Sequence, residues 1–221
     1  MRSQRPVEAR VRLPESRSAD DTPSPGTPHA RPDRDRLVVA GLGDSLTYGW
    51  MVRRGFFDRC VDALSGRFPE IEISRVNAGV PGDTAPGGFL RAASVLASKP
   101  GAVAIQFGLN DCYAGVSPDE YDAAVRRIAQ LVERAGAVPI LVTSCPTELP
   151  GGPEAMDPYY GALRRLAAER SLALADVDAA WRALPPERGR GLYLDDGVHP
   201  SDAGHALMGD VLLAALENML A

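Results

Sequence analysis

The sequence predicts an α/β fold: a five-stranded parallel sheet covered by helices on both faces. Two observations carry this expectation. Short apolar runs alternate with helical periodicities from residue 37 onward, and strands separated by helices pair in parallel. Glycine-bearing turns follow three of those runs directly, at 41–43, 79–82 and 108, where an open α/β sheet places its ligand crevice.

The elements follow in order. Leu37-Val38-Val39-Ala40 lies in the first strand, 37–42, and an alternating run marks a second over 71–76. Apolar runs at 103–107, 138–142 and 172–177 complete five strands. Helices are expected over 57–67, 89–98, 121–135, 159–170 and 203–219. The third is the clearest, because Tyr121, Val125, Ile128 and Val132 recur at helical spacing. Ser117-Pro118-Asp119-Glu120 supplies its start, with Pro at the first helical position and Glu120 reciprocating the serine cap, and Gly136 its end. In the last helix, Ser201 or Asp202 is expected to cap, and Leu207, Val211 and Leu212 to hold the preceding loop against the sheet.

Composition bounds the organisation. The 221 residues, 45% apolar and 24% charged, suffice for one substantial core and leave little room for two. Residues 1–36 are rich in Arg, Pro, Asp and Ser with isolated apolar residues, which predicts a disordered tail ahead of one domain over 37–221. That tail has no continuous apolar segment of the secretory kind, its acidic residues disfavour an organellar leader, and no run is long enough to span a bilayer. A cytoplasmic location is therefore expected, which the three scattered cysteines, Cys60, Cys112 and Cys145, suit. A net charge of -5 disfavours nucleic acid as a partner.

Four segments carry chemistry. Gly43-Asp44-Ser45-Leu46 sets a serine hydroxyl where a strand hands over to a helix, a place for an exposed nucleophile. Asp196-Gly197-Val198-His199-Pro200 sets a carboxylate three residues before an imidazole, the base and orienting acid that a serine nucleophile needs. His29 and His205 compete as bases, but the first lies in the tail and the second within the terminal helix. Asn77-Ala78-Gly79-Val80-Pro81-Gly82-Asp83-Thr84 forms a glycine-rich turn in which the Gly82 N–H can approach a tetrahedral oxyanion, and Gly108-Leu109-Asn110-Asp111 offers the neutral Asn110 amide to the same charge. Taken singly, each segment is also ordinary turn chemistry.

Other chemistries fit less well. The Gly-x-Ser-x-Gly elbow of α/β-hydrolases is absent, since Thr47 stands where its second glycine would be. No phosphate-binding loop is present, and Lys99 is the only lysine. A metal site would have to recruit Asp195, Asp196, His199 and His205, which lack a ligand spacing and leave Ser45 and Asn110 unexplained. Neither a metal nor an organic cofactor is expected.

The four segments, in this order, resemble the SGNH hydrolases, or GDSL esterase/lipase family. The resemblance implies a flavodoxin-like three-layer α/β/α sandwich. It implies that Ser45 is the nucleophile, that His199 is the general base and that Asp196 orients it. It also implies that the backbone N–H groups of Ser45 and Gly82 and the Asn110 side chain form an oxyanion hole. The expected reaction is hydrolysis of a small-molecule acyl ester, with an acyltransferase, a thioesterase or lysophospholipase, or a binding module as alternatives. Tyr48, Trp50, Met51, Pro86, Tyr113 and Leu149 are candidates for an apolar acyl pocket, and the loop over 147–156 for a lid or specificity loop.

Overall fold

The computed structural model describes residues 35–148 and 151–220. Five strands, β1 Arg36–Gly43, β2 Glu72–Gly79, β3 Ala102–Gln106, β4 Val138–Val142 and β5 Ala173–Ala175, form one parallel sheet in the order β2-β1-β3-β4-β5. Nine α-helices accompany them among the described residues: α1 Ser45–Tyr48, α2 Phe56–Arg67, α3 Ala85–Leu96, α4 Leu109–Ala114, α5 Pro118–Arg134, α6 Asp157–Arg170, α7 Val177–Arg182, α8 Pro186–Arg190 and α9 Asp202–Leu220. Helices α3, α5 and α6 pack side by side over one face, while α9 runs against α2 and onto β4 and β5 on the other. The result is the three-layer α/β/α sandwich expected from the sequence.

Burial explains the layering. Strand β3 is buried at every residue and β4 at all but its first, so both faces of the central sheet need helical cover. Helix α5 turns Tyr121, Val125, Ile128 and Val132 inward as its periodicity predicts, and the Ser117 hydroxyl accepts the Glu120 N–H at 3.2 Å. Helix α9 buries Met208, Leu212, Leu213 and Leu216, whereas Leu207 and Val211 are only half-buried. Ser201 is its capping side chain, accepting the Gly204 N–H at 3.4 Å. Among the described residues no helix is long and apolar enough to cross a membrane.

The strand order reverses direction between β1 and β3, the switch point at which such sheets bind ligands. Gly43 is in register with Gly79 on one side and Gln106 on the other, so the three loops beyond them start from one level.

Several boundaries differ from the sequence reading. The last strand ends at Ala175 rather than Val177, because the Asp176 carboxylate accepts the Ala179 N–H at 3.1 Å and starts α7. Helix α3 begins at Ala85, four residues before the expected start, with Thr84 as its cap. Arg36, assigned to the tail, pairs with Glu72 in β1; residues 1–34, including His29, and Leu149 and Pro150 lie outside the described residues.

Candidate active site

The switch point brings together residues that the chain separates by more than 150 positions. Ser45, the first residue of α1, follows β1, and its hydroxyl oxygen lies 3.2 Å from His199 Nε2. His199 Nδ1 lies 2.7 Å from Asp196 Oδ2. The carboxylate can only accept here, so Nδ1 carries the ring proton and Nε2 presents a lone pair to the Ser45 O–H. Asp196 uses its other oxygen to accept the Val198 and His199 N–H groups, both at 2.9 Å, which folds the loop back on itself and fixes the imidazole. Partial burial pushes the Asp196 carboxyl up, but its hydrogen bonds with His199 and Val198 prevail and hold it below the usual carboxylate range.

Two of the three expected oxyanion donors, Gly82 and Asn110, lie just past the ends of β2 and β3. Gly82 has φ of 81°, a left-handed conformation that favours glycine, and a Cβ built there meets no atom within 4 Å. Its side of the loop faces open space. Asn110, on α4, donates one amide hydrogen to the Asp83 carbonyl at 3.0 Å, and the second remains for a ligand.

A buried polar lattice beneath the serine escaped the sequence reading. Asp44 Oδ1 accepts the Leu46 N–H at 2.9 Å and caps α1, while Oδ2 accepts from the Gln106 amide at 3.1 Å. Gln106 also donates to Ser144 and accepts from Thr47, at 2.7 and 2.6 Å. Complete burial raises the Asp44 carboxyl to about 7 despite these bonds. Asp111 ties the segments after β2 and β3 together by accepting the Ala85 and Gly108 N–H groups at 2.9 and 3.0 Å, and burial raises it to about 6. The one available signal was a charged or amide residue set inside an apolar run, as Gln106 is in β3.

His205 is buried, accepts the Phe56 N–H at its Nδ1 (3.0 Å) and stacks on the Phe56 ring, a packing role rather than that of a base or ligand. Cys60 and Cys145 are buried and Cys112 half-buried, all three free. Tyr48, Trp50, Met51 and Tyr113 are exposed, and Pro86 sits in the first turn of α3. The loop after β4 is tied to the segment that carries His199: the Glu148 N–H donates to the Gly197 carbonyl at 2.9 Å, and the Tyr193 hydroxyl to the Pro146 carbonyl at 2.9 Å.

Comparison with known proteins agrees with this geometry. Residues 42–207 match the model of the GDSL-like Lipase/Acylhydrolase family. The esterase TesA of Pseudomonas aeruginosa is 31% identical over 75% of this chain and 79% of its own. Thioesterase 1/protease 1/lysophospholipase L1 of Escherichia coli K12 is 27% identical over 84% of this chain and 85% of its own. Among solved structures, the acetylxylan esterase Axe2 of Geobacillus stearothermophilus superposes with a TM-score of 0.71 at 26% identity, covering 81% of this chain and 94% of that one. Structures of that enzyme include catalytic mutants of a serine, an aspartate and a histidine three positions beyond the aspartate.

Proposed function

Because the chain belongs to the GDSL-like lipase/acylhydrolase family and is an SGNH-type esterase acting on acyl esters, we propose that it cleaves them through an acyl-enzyme on Ser45. In this reading Ser45 Oγ attacks the ester carbonyl while His199 Nε2 takes its proton. The carbonyl oxygen becomes an oxyanion, received by the N–H groups of Ser45 and Gly82 and by the Asn110 amide. Collapse of the intermediate breaks the bond to the alcohol oxygen, which leaves with the proton from His199. Water then repeats the sequence on the acyl-enzyme, giving its proton to His199, and the carboxylic acid departs from Ser45. Asp196 holds the ring tautomer and stabilises the imidazolium throughout.

The observation that carries the proposal is the continuous relay from Ser45 Oγ through the His199 ring to Asp196, with contacts of 3.2 and 2.7 Å. Small acyl groups are the proposed substrates, supported by the acetyl specificity in the name of the Geobacillus enzyme. The test is hydrolysis of p-nitrophenyl esters from acetyl to palmitoyl, with Ser45→Ala as control. Serine-dependent turnover greatest at short chains is expected. A maximum at long chains would replace the small-ester reading with lipid or thioester substrates, in line with the name of the Escherichia coli relative. Partition of the acyl group to an added alcohol in preference to water would identify a transferase.

A further inference from the structure

We propose that Arg91 is a positioning residue for the oxyanion loops. The inference rests on the acyl-enzyme reading above and goes beyond it, to a side chain that touches neither substrate nor nucleophile.

Arg91 lies in the middle of α3 and spends its guanidinium on three separate stretches of chain. Nη2 donates to the Gly43 carbonyl at 2.7 Å, two residues before Ser45 and at the end of β1. Nη1 donates to the Ala78 carbonyl at 2.5 Å, near the end of β2, and Nε to Asp83 Oδ2 at 2.7 Å, in the loop that carries Gly82. From Asp83 the path continues to the second donor, since its main-chain carbonyl accepts the Asn110 amide at 3.0 Å. One planar cation is thus linked to the serine strand, to the Gly82 loop and, through one further residue, to Asn110. No ammonium group could span these acceptors with the same fork.

The surroundings are built around this contact. The Asp83 side chain has 13% exposure and that of Arg91 24%, so the pair is largely withdrawn from solvent screening. Asp83 Oδ1 accepts the Thr84 N–H at 2.9 Å, which turns the loop into α3. Gly87, in the first turn of that helix, makes room: a Cβ there would lie 2.0 Å from Asp83 Oδ1. A glycine in the first turn of a helix, otherwise a poor helix former, thereby has a reason. The Gly43 carbonyl also accepts the Val80 N–H at 3.0 Å, so Arg91 meets β1 where the Gly82 loop closes on it.

Charge points the same way. The negative charge of Asp83 lies close enough to push the Asp44 and Asp111 carboxyls up, as does that of Asp111 on Asp44. A developing oxyanion beside this acidic group is disfavoured unless a cation offsets it, and Arg91 is hydrogen-bonded to one of its members.

The test compares wild type with Arg91→Met, Arg91→Lys, Asp83→Asn and Asn110→Ala, each alone and with the first three also combined with Asn110→Ala. The readouts are kcat and KM for a short p-nitrophenyl ester, affinity for a boronic acid that forms a tetrahedral adduct, and the thermal midpoint. Arg91→Met is expected to lower kcat by roughly 10- to 100-fold, with KM changed less than about threefold, since a small displacement of oxyanion donors is felt mainly in the transition state. Boronate affinity should fall in parallel, and Arg91→Lys should restore part of both. In the Asn110→Ala background the loss should shrink, because one of the donors that Arg91 holds is already gone, while the part acting through the Gly82 loop and the Gly43 strand end remains. Full multiplicative losses in the double variant, or a lower thermal midpoint with kcat intact, overturn the proposal. If Arg91→Met does not fold, Asp83→Asn and its Asn110→Ala double variant decide by the same criterion. Activity that survives Ser45→Ala would instead overturn the underlying acyl-enzyme reading, so the two failures are distinct.

Discussion

His205 gives the sharpest link between burial and pH. Its ring is buried between α9 and the start of α2, with Nδ1 accepting the Phe56 N–H at 3.0 Å. Burial, followed by the positive charge of Arg59, lowers it from 6.5 to about 4. The folded state therefore resists a proton that the unfolded chain takes up below about pH 6.5. Stability from this site is complete above that pH and is lost as pH falls towards 4. The lowering corresponds to about 3 kcal/mol at the acid limit, of which roughly 1 kcal/mol is already lost at pH 5.5 and roughly 2–3 kcal/mol at pH 4.5. Protonation also removes the Nδ1 lone pair, releasing the N–H of Phe56 at the start of α2. The perturbation is His205→Asn, whose Oδ1 can stand in for Nδ1 as acceptor but does not titrate. Urea unfolding of both proteins at about pH 7.5, 5.5 and 4.5 isolates the site, because the many shared carboxylates cancel in the difference. Wild type should lose roughly 2–3 kcal/mol more than the variant between the extremes, a relative shift of its midpoint of roughly 1–2 M urea. Parallel pH dependences for the two proteins would show that His205 does not carry this loss.

Three further outcomes are expected. Asn110→Ala should cost roughly 100- to 1,000-fold in kcat, measured with a short p-nitrophenyl ester, with the thermal midpoint little changed. Gly79→Ala should destabilise the fold by about 1–3 kcal/mol, read from urea midpoints, because its Cβ would come within 2.2 Å of the Tyr48 backbone nitrogen, which cannot yield like a side-chain tip. A chain ended before Ala203 should show neither cooperative unfolding nor turnover. It lacks the buried Met208, Leu212, Leu213 and Leu216, each worth about 1.5–3 kcal/mol against a typical total of about 5–15 kcal/mol.

The candidate site was legible because Ser45, Gly82 and Asn110 lie in local motifs just past the ends of β1, β2 and β3, with Asp196 and His199 in one short loop before α9, and the alternation of apolar runs with helical periods gave the layers. What escaped was long-range or tertiary. Arg91 looks like any charged residue in a helix, and its contact with Gly43 spans 48 positions. Helix α3 reads as a loop over Ala85-Pro86-Gly87-Gly88, yet Asp111 accepts the Ala85 N–H and Thr84 caps the turn, so tertiary hydrogen bonds start the helix early. Val177 continues an apolar run and suggested more strand. The capping carboxylate of Asp176, itself paired with Arg164 at 2.7 Å, ends that strand instead. Short helices such as α1 and α4 are too brief to show a period; their glycine C-caps at 49 and 115 are visible only as turn residues.

The central claim is that Ser45 is the nucleophile. An activated phosphonate ester that labels reactive serines, followed by peptide mass spectrometry, tests it most directly. One phosphonyl group is expected on the peptide containing Ser45, with labelling that tracks loss of esterase activity and no label in Ser45→Ala. Label on another residue, or inactivation that persists in Ser45→Ala, would contradict it.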